Sequence, residues 1–358
     1  MPTVDVIVHE DAIDDVVPTI RKLSLARNCL VVHDPNTRKV AGAAILELLR
    51  KDGLSAKEVI VERPDDGSVE KTIAQLESND FLVGVGGTSV LDISKLAASK
   101  KGAKYLLFST GLANSGIISR TASIYMKGRK ESISVNLADA VIVDLTIISH
   151  APNWMVPAGC GDLVIEATAI KDWQLGHEDT HEAYCESIGE LEMSTLDQIL
   201  NDAEEIRLRS TRGIKSLVDA LILSGLGMAI WGSSRPSSGS EHLWSHWLDH
   251  NAEEKRLPPG RHGEQVGFGT LLMAKYHEAH NADWWSRTEH PEYQAESLMA
   301  FLRKVGAPTT LKEIGISENL ATEAFVGAWE YRKERYTILH KRHPTTDDAT
   351  KIIQELGM

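Results

Sequence analysis

The sequence contains few of the features that mark a secreted, membrane-spanning or nucleic-acid-binding protein. Its three cysteines, Cys29, Cys160 and Cys185, are an odd, scattered set that fits neither a disulfide framework nor a four-thiolate metal site. The longest apolar stretch, 217–231, contains Asp219 and is shorter than the roughly 20 residues that span a bilayer. The acidic N-terminus lacks the basic segment of a signal or transit peptide. These absences predict a cytoplasmic protein with no integral membrane segment.

An excess of positive charge is also absent. The chain has 38 Lys and Arg residues against 51 Asp and Glu residues, which gives a formal net charge of −13. Because nucleic-acid binding needs a basic surface, this balance argues against a nucleic-acid partner. A small anionic substrate is still compatible with it, since a few local Arg or Lys residues and a metal ion can hold one phosphate. The expected partner is a small-molecule substrate.

The chain has no internal repeat, but its hydrophobic periodicity changes near residue 151. Before that point, β-branched runs alternate with amphipathic stretches, which predicts a mostly parallel sheet covered by helices on both faces. The predicted strands are Asp5–Val8, Cys29–Val32, Glu58–Glu62, Phe81–Val85, Tyr105–Phe108 and Ala140–Val143, with extra strands or a hairpin between Ile117 and Val135. The predicted helices are Ala12–Leu25, Arg38–Lys51, Ser68–Leu76 and Ser89–Lys100. Residues 1–151 are therefore interpreted as an α/β domain.

From residue 152 onward the apolar residues recur at helical spacing. This pattern predicts an all-helical second domain over residues 152–358. Its predicted helices are Asp162–Leu175, Ile188–Arg209, Ile214–Ala229, Glu241–Asp249, Glu264–His277, Ala295–Val305 and Glu318–Ala328.

Two neighbouring strands of the first domain end in loops of small residues. The strand at 81–85 leads into Gly86, Gly87 and a helix near Ser89, and the next strand leads into the segment STGLANSG at 109–116. Glycines and a helix N-terminus allow close approach to a pyrophosphate, and ligands collect at the carboxyl ends of parallel strands. The spacing departs from G-x-G-x-x-G because Ser89 replaces the third glycine, and an ordinary tight turn would also explain the glycines. The pair of loops favours a phosphate-bearing cofactor.

Three features of the helical half point to a metal. Asp162, in the segment GCGD, is predicted to lie in the first turn of a helix; His242 and His246 are spaced i and i+4; and His262 is predicted where a loop enters a helix. One Asp and two His residues are a suitable donor set for an open zinc or iron site. Each feature has an ordinary alternative: Asp often caps a helix, and 14 histidines produce chance pairs. No H-E-x-x-H motif is present, which argues against a metalloprotease.

Six motifs along nearly the whole chain carry a family resemblance: GVGGTSVLDISKLA, AVIVD, AGCGD, SGLGMAIWGSSRPSSGSEHLWSHWLD, HGEQVGFGT and ERYTILHK. With these motifs the chain resembles the sn-glycerol-1-phosphate dehydrogenase family, within the iron-type alcohol dehydrogenase and dehydroquinate synthase-like superfamily. The resemblance implies a Rossmann-like NAD(P)-binding domain, a helical metal- and substrate-binding domain, and a homo-oligomer.

The resemblance also implies roles for individual residues. Asp162, His242 and His262 would ligate zinc, and Asp162 and His246 would be catalytic and contact the substrate. The implied cofactor-binding residues are Gly86, Gly87, Thr88, Ser89, Val90, Thr110, Gly111, Leu112, Ala113 and Ser119. Ser115 occupies a substrate position where the family usually has Asp, and Arg120 replaces a usual proline. Arg235 and Arg120 are candidate phosphate-binding residues.

The implied activity is the zinc-dependent, NAD(P)-dependent reduction of dihydroxyacetone phosphate to sn-glycerol 1-phosphate, for archaeal-type membrane phospholipid synthesis. A related glycerol or polyol dehydrogenase is the nearest alternative. A lyase-type enzyme of the same superfamily and a metal-binding protein without activity are also open. The sequence leaves open the choice between NAD(H) and NADP(H), and between zinc and another divalent metal.

Overall fold

The computed structural model describes residues 3–24, 26–77, 80–127, 129–255 and 260–357. The chain divides into two compact units, Met1–Met155 and Val156–Met358, called here the first and the second unit. The first unit contains the strands of the described residues, and the second unit is built from helices.

A six-stranded parallel sheet forms the centre of the first unit. Its strands are β1 (Asp5–His9), β2 (Asn28–His33), β3 (Ser55–Ile60), β4 (Phe81–Gly86), β5 (Tyr105–Ser109) and β8 (Ala140–Asp144), in the order β1-β8-β5-β4-β2-β3. A separate antiparallel hairpin pairs β6 (Thr121–Met126) with β7 (Arg129–Ser134). The predicted α/β architecture with a mostly parallel sheet is confirmed, and so is the hairpin between residues 117 and 135.

Helices cover both faces of this sheet. The main helices of the first unit are α1 (Val16–Leu23), α2 (Ala43–Lys51), α3 (Asp66–Gln75) and α4 (Thr88–Lys101). On one face of β4, Val83 and Val85 share a buried cluster with Ile20 of α1 and Ile45 of α2. On the other face, Gly84 packs so closely against α4 that no side chain fits between them. A methyl group on Gly84 would lie 2.7 Å from Cβ of Ser94 in that helix. The continuous burial of β4, β5 and β8 is typical of central parallel strands.

Five short elements are also described in the first unit. They are a 3₁₀ turn at Ala12–Asp15, a helical turn at Pro35–Thr37, the π-helical stretch Arg38–Gly42, a 3₁₀ turn at Ser115–Ile117 and the helix Leu145–Ser149. The predicted helix Arg38–Lys51 therefore begins with a π-helical segment. The predicted strand at 58–62 is displaced toward the N-terminus, because β3 is an edge strand in which only Val59 is fully buried.

Among the described residues of the second unit, the main helices are α5 (Met155–Val164), α6 (Glu166–Thr180), α7 (Glu186–Asn201), α8 (Thr211–Trp231), α9 (Ser240–Lys255), α10 (His262–His280), α11 (Ala295–Val305), α12 (Glu318–Gly327) and α13 (Thr346–Glu355). Short helices occur at Ala203–Arg207 and Ile338–Lys341. The residues predicted as one helix at 188–209 form two helices, because the helical conformation is interrupted at Asp202.

Helix α8 is long and strongly apolar. By length and composition alone it could cross a membrane, but 67% of its most apolar window is buried inside the fold. It packs against α7 and the helix Ala203–Arg207. We therefore interpret α8 as the core helix of the second unit.

Candidate metal centre and cofactor-binding loops

Asp162, His242 and His262 converge in the second unit. One donor atom from each residue lies within 4.8 Å of the others, and the described residues contain no other such group of three His, Cys, Asp or Glu. His262 Nε2 is 3.6 Å from Asp162 Oδ1, and the rings of His242 and His262 are 5.0 Å apart. Asp162 and His242 are buried, whereas the His262 side chain is 26% exposed. The predicted trio is thus brought together, with one member accessible to solvent.

Glycine contacts between helices place Asp162 beside His262. Helix α5 carries Gly161, and a methyl group on this residue would overlap the carbonyl oxygen of Gly263 in α10. From the other helix, a methyl group on Gly267 would lie 2.7 Å from Gly161 Cα. Only residues without a side chain allow the two backbones to approach so closely.

The expectation that Asp162 lies in the first turn of a helix is wrong. Asp162 lies near the end of α5, which begins at Met155. Pro157 and the glycines of GCGD suggest a loop, but a proline is tolerated in the first turn of a helix, and Gly161 serves the helix contact. In contrast, His262 is the first residue of α10, as predicted.

Asp172 links the elements that carry the two candidate metal-binding histidines, His242 and His262. It lies in α6, is fully buried, and accepts hydrogen bonds from Ser240 N at 2.6 Å and Ile338 N at 2.7 Å. Its Oδ1 is also 3.1 Å from His277 Nε2. Burial opposes charge on Asp172, but these contacts hold its pKa below the ordinary value. The ionised side chain therefore fixes the start of α9 against α10 and the C-terminal segment.

Glu241 contacts His242 directly. It is fully buried, and its Oε1 lies 3.0 Å from His242 Nδ1. The same oxygen accepts a hydrogen bond from Gly239 N at 2.6 Å, and Oε2 accepts one from Thr168 Oγ at 2.6 Å. An acidic side chain hydrogen-bonded to a ligating imidazole is a common arrangement around protein metal ions.

His246 borders the trio but is not part of it. It lies one turn after His242 on α9, with its ring 5.8 Å from that of His242 and 6.3 Å from that of His262. The ring of Tyr331 stacks on His246 at 5.7 Å, and an edge contact of 5.4 Å joins Tyr331 to His250. At this position His246 is suited to contact a small molecule bound at the candidate metal centre.

The donor set fits a divalent transition metal. One carboxylate and two imidazoles suit Zn²⁺ or Fe²⁺, and three protein ligands leave a coordination position for substrate. The exposure of His262 agrees with a catalytic site more than with a closed structural one. Glu241 supplies the hydrogen-bond acceptor that ligating histidines usually have. The residues therefore match the implied metal in chemistry and in spacing.

In the first unit, the two predicted cofactor loops lie side by side. Strands β4 and β5 are paired, with Gly86 opposite Ser109, and Thr110 N donates to Gly86 O at 3.0 Å. Gly87 is the N-cap of α4, so the free N–H groups of this helix begin at the loop. The predicted cofactor residues of the first loop and of the second loop are thus adjacent: Gly86, Gly87, Thr88, Ser89 and Val90 with Thr110, Gly111, Leu112 and Ala113.

Buried polar contacts hold the second loop against α4. Asn114 Oδ1 accepts hydrogen bonds from Gly116 N at 3.0 Å and from Thr88 Oγ at 3.2 Å. Lys95, buried in α4, donates to the carbonyl oxygens of Gly116 and Thr121. The chain from 114 to 121 is therefore fixed by side chains of the neighbouring loop and helix.

Ser115, Ser119 and Arg120 lie in or beside this segment. Ser115 is buried in the 3₁₀ turn, and Ser119 is buried with its hydroxyl donating to Thr121 O at 3.3 Å. Arg120 is half-buried just before β6. Sequence reasoning anticipated these residues but not the anchoring role of Lys95, whose spacing from Asp92 resembles any helical ion pair.

Protein groups engage most of the Arg235 guanidinium. It is buried, its Nε donates to Glu182 Oε1 at 2.7 Å, and another guanidinium nitrogen donates to Asp172 O at 2.8 Å and Tyr336 O at 2.7 Å. Two of its three guanidinium nitrogens hold neighbouring segments of the fold, while the buried Nη1 has no hydrogen-bond partner among the described residues. The expectation that Arg235 binds a substrate phosphate stays a prediction.

Comparison with known proteins places the chain among dehydrogenases. Residues 7–152 match the family described as iron-containing alcohol dehydrogenase. The chain is 35% identical over 356 residues to glycerol-1-phosphate dehydrogenase [NAD(P)+] of Pyrococcus furiosus, covering 99% of this chain and 97% of the relative. It is 36% identical over 356 residues to the protein of that name from Thermococcus sibiricus, covering 99% and 96%.

Solved structures share the fold at lower sequence identity. A probable glycerol dehydrogenase from Sinorhizobium meliloti has a TM-score of 0.74 at 21% identity, covering 98% of this chain and 96% of that one. A 1,3-propanediol oxidoreductase has a TM-score of 0.78 at 18% identity, covering 99% and 98%. The fold is therefore that of these dehydrogenases. From the full-length match to its archaeal relatives, the chain belongs to the glycerol-1-phosphate dehydrogenase family.

Proposed function

We propose that this protein is an NAD(P)-dependent sn-glycerol-1-phosphate dehydrogenase that reduces dihydroxyacetone phosphate for archaeal-type membrane phospholipid synthesis. The observation that carries the proposal is the convergence of Asp162, His242 and His262 within 4.8 Å. It occurs in a chain that matches proteins named glycerol-1-phosphate dehydrogenase over 99% of its length.

Zinc is the proposed ion, held by Asp162, His242 and His262. The mixed carboxylate and imidazole set supports this choice, and the partly exposed His262 supports an open coordination position. A bound divalent ion would polarise the ketone oxygen as a Lewis acid, and NAD(P)H would supply the hydride.

His246 is the proposed source of the proton for the ketone oxygen. Its ring lies beside those of His242 and His262, so a substrate oxygen at the trio would be within its reach. Tyr331 stacks on His246 and would hold its ring plane. Asp162 would serve both as ligand and as a substrate contact, and the Ser115 hydroxyl is the proposed hydrogen-bond partner of a substrate oxygen.

The glycine-rich loop after β4 and the loop after β5 are the proposed cofactor site. The backbone N–H groups at the start of α4 are suited to a pyrophosphate, and Ser119 is included because it lies in the same anchored segment. Residues 1–151 would thus bind NAD(H) or NADP(H), and residues 152–358 metal and substrate. A homo-oligomeric state and a cytoplasmic location complete the proposal.

The direct test of substrate is an NAD(P)H oxidation assay of the purified full chain. Dihydroxyacetone phosphate and unphosphorylated dihydroxyacetone are supplied in parallel, and the chirality of the product is determined. We expect turnover of the phosphorylated ketone with sn-glycerol 1-phosphate as product. Preference for dihydroxyacetone or glycerol would establish the polyol dehydrogenase instead, and turnover without net NAD(P)H consumption would indicate a lyase.

A further inference from the structure

Glu241 is fully buried, and both oxygens of its carboxylate accept hydrogen bonds. The side chain lies in the core of the second unit, between α9 and Thr168 of α6. Its two oxygens receive three hydrogen bonds, from Gly239 N, Thr168 Oγ and His242 Nδ1. A buried carboxylate is costly unless donors surround it, and these three donors meet that requirement.

The contact with His242 determines which ring nitrogen is available to a metal. Both Glu241 oxygens already accept a hydrogen bond, from Gly239 N and Thr168 Oγ, so the carboxylate is an acceptor toward His242 as well and the hydrogen on the His242 ring resides on Nδ1. The lone pair is then on Nε2. Without Glu241, nothing among the described contacts of His242 Nδ1 would select this tautomer.

Several hydrogen bonds hold the backbone just before Glu241 in place. Gly239, which donates to Glu241, precedes Ser240, whose N–H is held by Asp172. Arg335 donates to the carbonyl oxygens of Ser234 and Ser238 just upstream. The carboxylate therefore has little freedom to move away from His242.

We infer that Glu241 is the positioning residue of the metal centre: it fixes His242 in the tautomer that ligates through Nε2 and places a negative charge behind that ligand. This inference rests on the proposed metal-dependent function. A carboxylate behind an imidazole raises the basicity of the ligating nitrogen, and loss of such a partner typically weakens metal binding about 10- to 100-fold.

Glu241→Gln separates the effect of charge from the effect of shape. The amide oxygen can accept from Gly239 N and His242 Nδ1, as Oε1 does now. The amide nitrogen can donate to Thr168 Oγ, whose own hydrogen can be given to Ile165 O at 3.1 Å. All hydrogen bonds can thus be kept while the charge is removed.

The test measures zinc affinity of the full chain by competition with a chelator, and the d–d absorption of the Co²⁺-substituted protein. We expect Glu241→Gln to bind Zn²⁺ about 10- to 100-fold more weakly and to shift the Co²⁺ bands, with the metal-free protein as stable as the wild type. Glu192→Gln is the matched control, since Glu192 is equally buried and its described partners are Ser224, Ser237 and Glu166, none of which belongs to the trio. This control should keep wild-type affinity and spectrum.

Thr168→Val is the second variant, because it removes one hydrogen bond to Glu241 and keeps the charge. It should weaken zinc binding several-fold, less than Glu241→Gln. If Glu241→Gln does not fold, wild-type zinc affinity in Thr168→Val overturns the inference. Wild-type affinity and an unchanged Co²⁺ spectrum in Glu241→Gln also overturn it. A wild-type protein that binds no zinc would instead refute the proposed metal centre itself.

Discussion

At the scale of single residues, the site depends on side chains whose partners are distant in sequence. Asp172 is held by Ile338, and Arg235 by Glu182. A sequence pattern indicates which residues are chemically able to ligate or bind, but not which of them the fold has already engaged. Arg235, a candidate for phosphate binding from its residue type, is one example, because its Nε is paired with Glu182 in the folded chain.

Tyr331 offers a test of how His246 is positioned. Its ring stacks on His246 at 5.7 Å with an interplanar angle of 25°. Tyr331→Ala removes this support, and we expect kcat/KM for dihydroxyacetone phosphate to fall about 3- to 10-fold, the equivalent of one aromatic contact. Tyr331→Phe keeps the ring and should retain most of the activity.

Steady-state kinetics with a metal analysis of each sample provides the measurement. Bound metal should be unchanged in both Tyr331 variants, since Tyr331 is not among the three donors. Tyr125→Ala is the control, because it also removes a tyrosine ring but from an exposed position on β6 of the first unit. Wild-type kinetics in Tyr331→Ala would show that His246 does not need this contact.

At the scale of elements, helix packing brings together the residues of the proposed metal centre. The backbones of α5 and α10 meet at Gly161, Gly263 and Gly267, and this contact brings Asp162 to His262. The hydrophobic period predicted most of the helices, because it reports which face is buried. It could not show that the glycines of GCGD belong inside a helix, since a glycine in a loop and a glycine at a close helix contact look the same in one sequence.

Gly161→Ala should disturb this contact and the metal centre together. The new methyl group would overlap Gly263 O, a backbone atom that cannot rotate away. Overpacking of this kind costs about 1–3 kcal/mol, so we expect a lower melting temperature and weaker zinc binding. Thermal unfolding with and without zinc measures both effects.

Gly67→Ala is the matched control for Gly161→Ala. Gly67 lies in α3, and the nearest atom to an added methyl group is Asp65 Oδ1 at an ordinary 3.6 Å. Stability should be unchanged or slightly higher there. If Gly161→Ala behaved like Gly67→Ala, the close approach of α5 and α10 would not be what positions Asp162.

At the scale of the whole molecule, the sequence predicted an α/β half and a helical half because their periods differ, and the sheet and helices agree with this. It could not predict the buried acid pair in the second unit. Glu166 in α6 and Glu192 in α7 are both fully buried, and Ser224 donates to Glu166 Oε1 at 3.2 Å. The residues are 26 positions apart, and nothing in either helix pattern pairs them.

This pair predicts a loss of stability with rising pH. Burial raises the pKa of Glu192 to about 8, and burial together with Glu192 raises the pKa of Glu166 well above its ordinary value. Ser224 and Ser237 face both carboxyl groups, and Asp162 acts on Glu166 alone. The folded state therefore retains protons that the unfolded chain releases above about pH 4.5. The stabilisation is complete below that pH and declines toward pH 8, by up to about 1.4 kcal/mol per pH unit for one group.

Urea unfolding at pH 5, 6.5 and 8, with zinc removed and with zinc present, measures this dependence. Glu192→Gln cannot titrate and should flatten the decline, whereas the exposed Glu318→Gln should leave it unchanged. Equal pH dependence in the wild type and in Glu192→Gln would mean that the pair is not the cause.

The central claim is that Asp162, His242 and His262 hold the metal on which catalysis depends. It is tested most directly by stripping the protein with a chelator and titrating Zn²⁺ back while following NAD(P)H oxidation with dihydroxyacetone phosphate. We expect activity to return in proportion to bound metal and to saturate at one ion per chain. His242→Ala should bind no metal and regain no activity, and His150→Ala, which removes an exposed histidine of the first unit, should behave as the wild type. Full turnover by the stripped protein, or by His242→Ala, would contradict the claim.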